Sequence, residues 1–158
     1  MPSTLAHDLL PRRLGPANRL VMTLQRLGLP TGTIHVLTVP GRISGQLRST
    51  PVSTLIVNGQ RYIVGGMVDM DWTRNVRAAG WGILAFGRRR ERVTLIELSP
   101  QVRGPILREF PRLVPGGVPF FRRIYSFPAD RAALPDAFAA LADRATVFRV
   151  EPGKPAQE

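Results

Sequence analysis

The segment "GRISGQLRSTP", residues 41–51, lies between two stretches rich in β-branched residues, and its residue types suit an anion. Gly41 and Gly45 permit backbone conformations in which successive N–H groups point into one concavity, an anion nest. Ser44, Ser49 and Thr50 add hydroxyl donors, and Arg42 and Arg48 add guanidinium forks matched to phosphate or carboxylate. Two readings stay open on the residues alone. The segment is either a phosphate site or a solvated hairpin turn with two exposed arginines. Net charge favours neither by itself but gives the anion a reason. The chain has 22 Lys and Arg against 11 Asp and Glu, a formal charge of +11, and Lys154 is its only lysine. A GC-rich genome explains arginine in place of lysine but not the excess of positive charge. Such a surface attracts nucleic acid, anionic lipid, or a phosphorylated or carboxylated small molecule.

Most common catalytic engines are missing. Cysteine is absent, which removes disulfides, thiolate zinc sites and a thiol nucleophile. Two histidines, His7 and His35, do not make a metal cluster. There is no G-x-G-x-x-G, no Walker loop and no H-E-x-x-H, and the pairs Gly65-Gly66 and Gly116-Gly117 lack the flanking elements those motifs need. The acids are sparse and scattered, against a paired-carboxylate hydrolase. Ser44, Ser49 and Ser53 have only His35 nearby in sequence, a weak basis for a serine triad. With 7% aromatic residues and no helix-turn-helix or stacking motif, nucleic-acid binding is not expected. No apolar run reaches the roughly 18–20 residues of a membrane span. Pro11, Arg12 and Arg13 interrupt any signal-peptide stretch, so a cytoplasmic protein is expected.

The elements that must position the anion segment read as follows. In residues 17–28 the spacing puts Leu20, Val21, Leu24 and Leu27 on one face of a helix, which Gly28 and Pro30 stop. A strand follows from Thr33. Asn58-Gly59 between two apolar runs predicts a hairpin. Asp69 or Asp71 is expected to cap a short helix, "WTRNVRAA", ended by Gly80. "WGILAFG" and "ERVTLIEL" predict strands joined across Gly87-Arg88-Arg89-Arg90. Ser99-Pro100 resembles a helix start, which Gly104-Pro105 would kink or delay. Residues 111–128 predict irregular structure, and "VPGGVPFFRRIYSF", too rich in Pro and Gly for a regular helix, offers Phe120, Phe121, Tyr125 and Phe127 as an apolar, substrate-covering wall. Pro135 opens or kinks a helix through "DAFAALADR", and "ATVFRV" predicts a final strand. The expected organisation is a helical segment over 1–30, one domain over 31–150 and a disordered tail over 151–158. That domain is α+β, mainly β: about six mostly antiparallel strands in a barrel with three or four surrounding helices.

At the anion segment the sequence resembles the deazaflavin-dependent nitroreductase family of flavin/deazaflavin oxidoreductases, known from actinobacteria. That family shows a strand ending in L-T-(T/V)-x-G-R-K-S-G, then R-x-T-P-(L/V), then a W-x-x-N segment. Here these read "VLTVPGRISGQLRSTPVSTL" and "DWTRNVRAAG", within a resemblance running from about Thr33 to Leu98. The resemblance implies a split β-barrel that binds coenzyme F420, a deazaflavin hydride carrier with a phosphodiester and a poly-glutamate tail. It places Arg42, Ile43 and Ser44 at the phosphate and tail. Arg48, Ser49, Thr50, Pro51, Val52 and Ser53 would line the phosphate and ribityl groove. Val64, Gly65, Gly66 and Met67 would pass beside the ring, and Asp71, Trp72, Thr73, Arg74 and Asn75 would stand at its edge. Tyr125 falls where family members place a substrate-facing tyrosine, a contact or proton donor.

One departure is Ile43 where the family has Lys, which leaves Arg88, Arg89 or Arg90 to replace the missing cation by folding near. The family implies hydride transfer to a quinone, nitro-aromatic or enone, with monomer and homodimer both open. The alternatives are FMN as the cofactor, or a lipid- or fatty-acid-binding relative without turnover, docked at a membrane surface by its N-terminal helix.

Overall fold

The computed structural model describes residues 33–153, so the expected N-terminal helix and the last five residues lie outside it. Leu37 and Val39 point to the same interior as Val52, Ile63, Leu84, Val93, Leu95, Phe148 and Val150. Successive strand residues face opposite sides, so each strand gives every second side chain to this interior. The strands are β1 (Ile34–Pro40), β2 (Leu47–Val57), β3 (Gln60–Gly65), β4 (Trp81–Phe86), β5 (Arg89–Glu97) and β6 (Thr146–Pro152). They close into a six-stranded antiparallel barrel in the order β1-β2-β3-β6-β5-β4. Val36 pairs with both Pro51 of β2 and Ala85 of β4, which joins the two ends of the sheet.

The β2–β3 turn carries Asn58 at φ 50 and Gly59 at φ 76, two successive left-handed residues that match the twist of the hairpin. Helix α1 (Asp71–Ala79) plugs the opposite end of the barrel and sends Val76 into the interior. Gly80, at φ 73, ends it. Helices α2 (Pro100–Leu113), α3 (Val118–Ile124) and α4 (Leu134–Ala139) form an outer layer. Phe110, Phe121 and Phe138 pack there in mutual ring contact, against Leu55, Val64 and Val147 from the outer face of the barrel.

Several expected boundaries shift for identifiable reasons. The N-cap of α1 is Met70 rather than Asp69 or Asp71, and Thr73 Oγ reaches back 3.0 Å to accept from the Met70 N–H. Gly104-Pro105 does not delay α2. Gly104 has no Cβ to clash with the proline ring, and burial of Ile106, Leu107 and Phe110 holds the helix through it. Residues 118–124 are helical rather than irregular, because Pro119 sits in the first turn, where a missing N–H costs nothing. Pro135 likewise opens α4, which stops at Ala139 rather than running to Arg144. β6 extends through Glu151 to Pro152 instead of ending at Val150.

A buried charge ties the helical layer to the barrel. Arg103 of α2 is 4% exposed. Its Nε donates to the Leu98 carbonyl at 2.8 Å, and its Nη1 donates to the carbonyls of Ala142 and Ala145, each at 3.0 Å. Its Nη2 meets Glu97 Oε1 at 3.0 Å. Glu97 also accepts from Arg77 of α1 at 2.5 and 3.0 Å and from Thr146 of β6 at 3.0 Å. Burial pushes the Glu97 carboxyl up. The hydrogen bonds from Arg77 and Thr146, with the charges of Arg77 and Arg103, outweigh it and hold the group below its ordinary value.

Glu97→Gln keeps the shape but leaves Arg103 without its counter-charge, at an expected cost of about 3 kcal/mol in urea unfolding at neutral pH. A carboxyl depressed in the fold contributes its full stability above the ordinary value of 4.5 and loses it as pH falls toward the folded value. Acidification should therefore narrow the gap between the two proteins. A gap that stays constant down to acid pH would show that Glu97 acts by shape alone.

Candidate functional site

A cleft of about 250 Å³ opens between the barrel wall and the helical layer. β2 lines it with Thr50, Pro51, Val52 and Ser53, and the end of β3 with Val64, Gly65 and the following Gly66. Met70 and Trp72 enter from the start of α1, Ile34 from β1, and Phe110, Gly117, Phe120 and Phe121 from the helices. No charged side chain is among these. The polar groups of the lining side chains are the Thr50 and Ser53 hydroxyls and the Trp72 indole N–H.

The paired glycines set how closely the walls approach. A Cβ on Gly65 would stand 2.8 Å from both Trp72 Cζ2 and Thr146 Cγ2. One on Gly66 would stand 2.7 Å from Phe120 Cε1. Two large rings thus rest on bare backbone. The Trp72 ring is 5.9 Å from Phe148 of the barrel interior, so this wall is also anchored from below.

The anion segment differs from a nest. The Gly41 N–H donates to Gln46 O and the Gly45 N–H to Gly41 O, each at 2.8 Å, while the Gln46 N–H donates to Ser44 Oγ at 3.2 Å. The Arg42 N–H donates to Asn75 Oδ1 at 3.1 Å. A tight turn closed on itself has spent these donors internally; only Gly45, at φ 72, uses the left-handed freedom expected of the two glycines.

The Arg42 guanidinium is engaged too. It donates to buried Asn75 Oδ1 at 2.9 Å and to Asp71 Oδ1 at 3.2 Å, which clamps the turn onto α1. Ile43 stands 90% exposed at the tip. Arg48 is the exposed guanidinium of this segment that makes no hydrogen bond or ion pair with the described residues. It shares a face of β2 with Thr50, about 7 Å along the strand.

The remaining expected residues divide clearly. Ser49 Oγ lies 2.8 Å from Thr38 Oγ1 outside the cleft lining, and Met67 is 40% exposed beyond it. Thr73 is buried and serves the α1 cap, and Arg74 Nε pairs with Asp69 at 2.5 Å on the surface. Arg88, Arg89 and Arg90 do not replace the cation missing at Ile43. The β4 register puts their turn beside the start of β1, at the other end of the barrel from Pro40 and the loop after it.

Tyr125, expected to face the substrate, does not line this cleft. Its hydroxyl donates to the Gly66 carbonyl at 2.6 Å, and burial pushes the phenol above its ordinary value against the opposing charge of Arg144. It is a tether between the segment after α3 and the cleft wall. Of the aromatic wall read from the sequence, Phe120 and Phe121 reach the cleft while Tyr125 and Phe127 do not. Ile34, Met70, Phe110 and Gly117 were not foreseen as lining. Phe110 had a signal in the helical spacing of Ile106, Leu107 and Phe110, whereas the other three give none.

The barrel is shared with solved structures. An F420-H2 dependent reductase, FDR-A, is 21% identical with a TM-score of 0.50, over 75% of this chain and 94% of that one. A structure described as a domain-swapped dimer is 19% identical with a TM-score of 0.51, over 87% of this chain and all, 100%, of that one. At such identities the likeness is one of fold, and it places the chain in the split β-barrel class. No protein-family model matches the chain, and no curated protein matches it.

Tyr125→Phe keeps the ring and strips the Gly66 carbonyl of its donor. The expected loss is about 1 kcal/mol of stability in thermal unfolding, with the cleft intact. An unchanged melting temperature would remove the tether.

Proposed function

We propose that the chain is an oxidoreductase that uses reduced coenzyme F420 to deliver a hydride to a quinone, nitro-aromatic or enone. The observation that carries this reading is the cleft itself. It is a slot walled by Trp72, Phe120 and Phe121 over the bare backbone of Gly65 and Gly66, and its β2 wall ends at Thr50, two residues along the strand from Arg48. The fold likeness to an F420-H2 dependent reductase and the motif resemblance support the same cofactor.

The residues present fit such a group. The glycine backbone with its covering rings suits a flat heterocycle, the Thr50 and Ser53 hydroxyls suit a ribityl chain, and Arg48 suits a phosphate. When bound, the deazaflavin supplies the hydride. The chain's part is to position and to exclude water. Trp72 and Phe120 would flank a planar partner, and the uncharged lining would limit the water beside it. Arg42 acts at one remove, since it fixes the β1–β2 turn on α1 and thereby the stretch of β2 that carries Arg48. Tyr125 positions Gly66. Its hydroxyl is committed to a carbonyl, so the final proton on the acceptor is assigned to solvent.

Titration of the protein with F420 and with FMN, followed by tryptophan fluorescence, tests this reading. F420 should bind more tightly, and binding should weaken as salt rises. Equal affinity without salt dependence would overturn the choice of cofactor. Arg48→Ala should weaken F420 binding roughly ten- to a hundredfold, for a lost charge-assisted contact of about 1.5–3 kcal/mol, with little change in stability. Arg42→Ala should instead lower the melting temperature, because its partners lie within the chain. If Arg48→Ala unfolds the protein without a separate binding defect, Arg48 is structural.

A further inference from the structure

The end of α3 and the turn after it enclose a second concavity, of about 370 Å³, lined by residues 122–127. The Tyr125 tether joins it to the cleft: Tyr125 lines the concavity, and Gly66, whose carbonyl takes the Tyr125 hydroxyl, lines the cleft. Two guanidiniums belong to this second space. Both terminal nitrogens of Arg122 reach the Pro128 carbonyl at 3.4 Å, a long contact that pins the fork across the turn and leaves N–H groups to spare. Arg123 is exposed and makes no hydrogen bond or ion pair with the described residues. The exposed Ser126 hydroxyl likewise has no partner among them. A third arginine stands at the edge, since the Arg144 carbonyl is 3.5 Å from the Tyr125 hydroxyl. The nearest acids along the chain are engaged elsewhere: Asp130 accepts from the Ala132 N–H, and Asp136 pairs with Arg108.

Two planar forks and a hydroxyl, gathered in one hollow, match the several oxygens of a phosphate dianion. We propose that this concavity binds a phosphate monoester, held by Arg122, Arg123 and the Ser126 hydroxyl. The carbonyls that end α3 disfavour an anion, but two full charges outweigh the partial charge of a seven-residue helix. An occupant fixes the segment that carries the Tyr125 hydroxyl, so the Gly66 wall of the cleft registers its presence. The proposal does not depend on the cofactor.

Inorganic phosphate is the probe, titrated into the full-length protein at constant ionic strength and read by the backbone amide shifts of an isotope-labelled sample. The amides of Ser126 and Phe127 should move and saturate, and Gly66 should move with them. In Tyr125→Phe the Ser126 shift should persist and the Gly66 shift should vanish. Arg122→Gln with Arg123→Gln should raise the phosphate Kd roughly tenfold or more. Arg88→Gln with Arg89→Gln, an equal loss of charge on the β4–β5 turn, should change it by less than about threefold. Equal weakening by both pairs would show an adventitious ion only, held by net charge, and would overturn the site. So would shifts confined to the Arg48 segment, or a dicarboxylate that binds more tightly than phosphate. A Gly66 shift that survives Tyr125→Phe would overturn the link to the cleft.

Discussion

Among the described residues, Arg103 is the only charged side chain that is fully buried, and the joint between barrel and helices depends on satisfying it. A guanidinium carries five N–H donors, and leaving any of them dry is costly. The fold answers with three carbonyls and one carboxylate, drawn from the end of β5, the turn after it and the segment before β6. Glu97 passes the constraint on to Arg77 of α1. One ion network therefore fixes three things at once: the barrel plug, the barrel wall and the outer helices. The cleft is the space left between those three bodies, so its width is set some distance from its own lining.

That arrangement explains why a strongly basic chain presents an uncharged slot. Arg42, Arg77 and Arg103 hold carbonyls and carboxylates within the protein, and Arg74 and Arg108 meet exposed acids. Near the slot, Arg48 is exposed and makes no hydrogen bond or ion pair with the described residues. Composition alone overstated the cations available to an anion, because it counts charges without their partners. Under the proposed function, selectivity between a deazaflavin and a flavin would rest on the fit of the slot and on one guanidinium rather than on a cluster.

The barrel was legible because its signals are local. Alternation around Leu37, Val52 and Ile63, the Asn58-Gly59 turn and Gly80 at a helix end each follow from a few neighbouring residues. The helical layer was less so, since Pro105, Pro111, Pro119 and Pro135 all speak against helix. Their tolerance comes from position in a first turn, from Gly104, or from the packing of Phe110 and Phe138 across the chain. In the site, the stretch from Thr50 to Ser53, the glycine pair, Trp72 and the Phe120-Phe121 wall could be named in advance. The hydrogen bonds of Arg42 and Tyr125 within the chain were not foreseen. Their partners, Asn75 and the Gly66 carbonyl, lie 33 and 59 residues away in sequence, and no local pattern reveals such bonds.

The closed ladder has a consequence for motion. Every strand has a hydrogen-bonded neighbour on both sides, so no edge can fray or slide without breaking the ring. The helices on the outside have no such continuity; α3 is a short segment held by ring contacts and the Tyr125 hydroxyl. Backbone amides of the barrel would exchange with solvent through global opening, and those of residues 118–124 through local excursions. The two walls of the slot thus belong to different dynamic classes. A bulkier guest would therefore be accommodated by displacement of the 118–124 wall, while the barrel wall would stay in register.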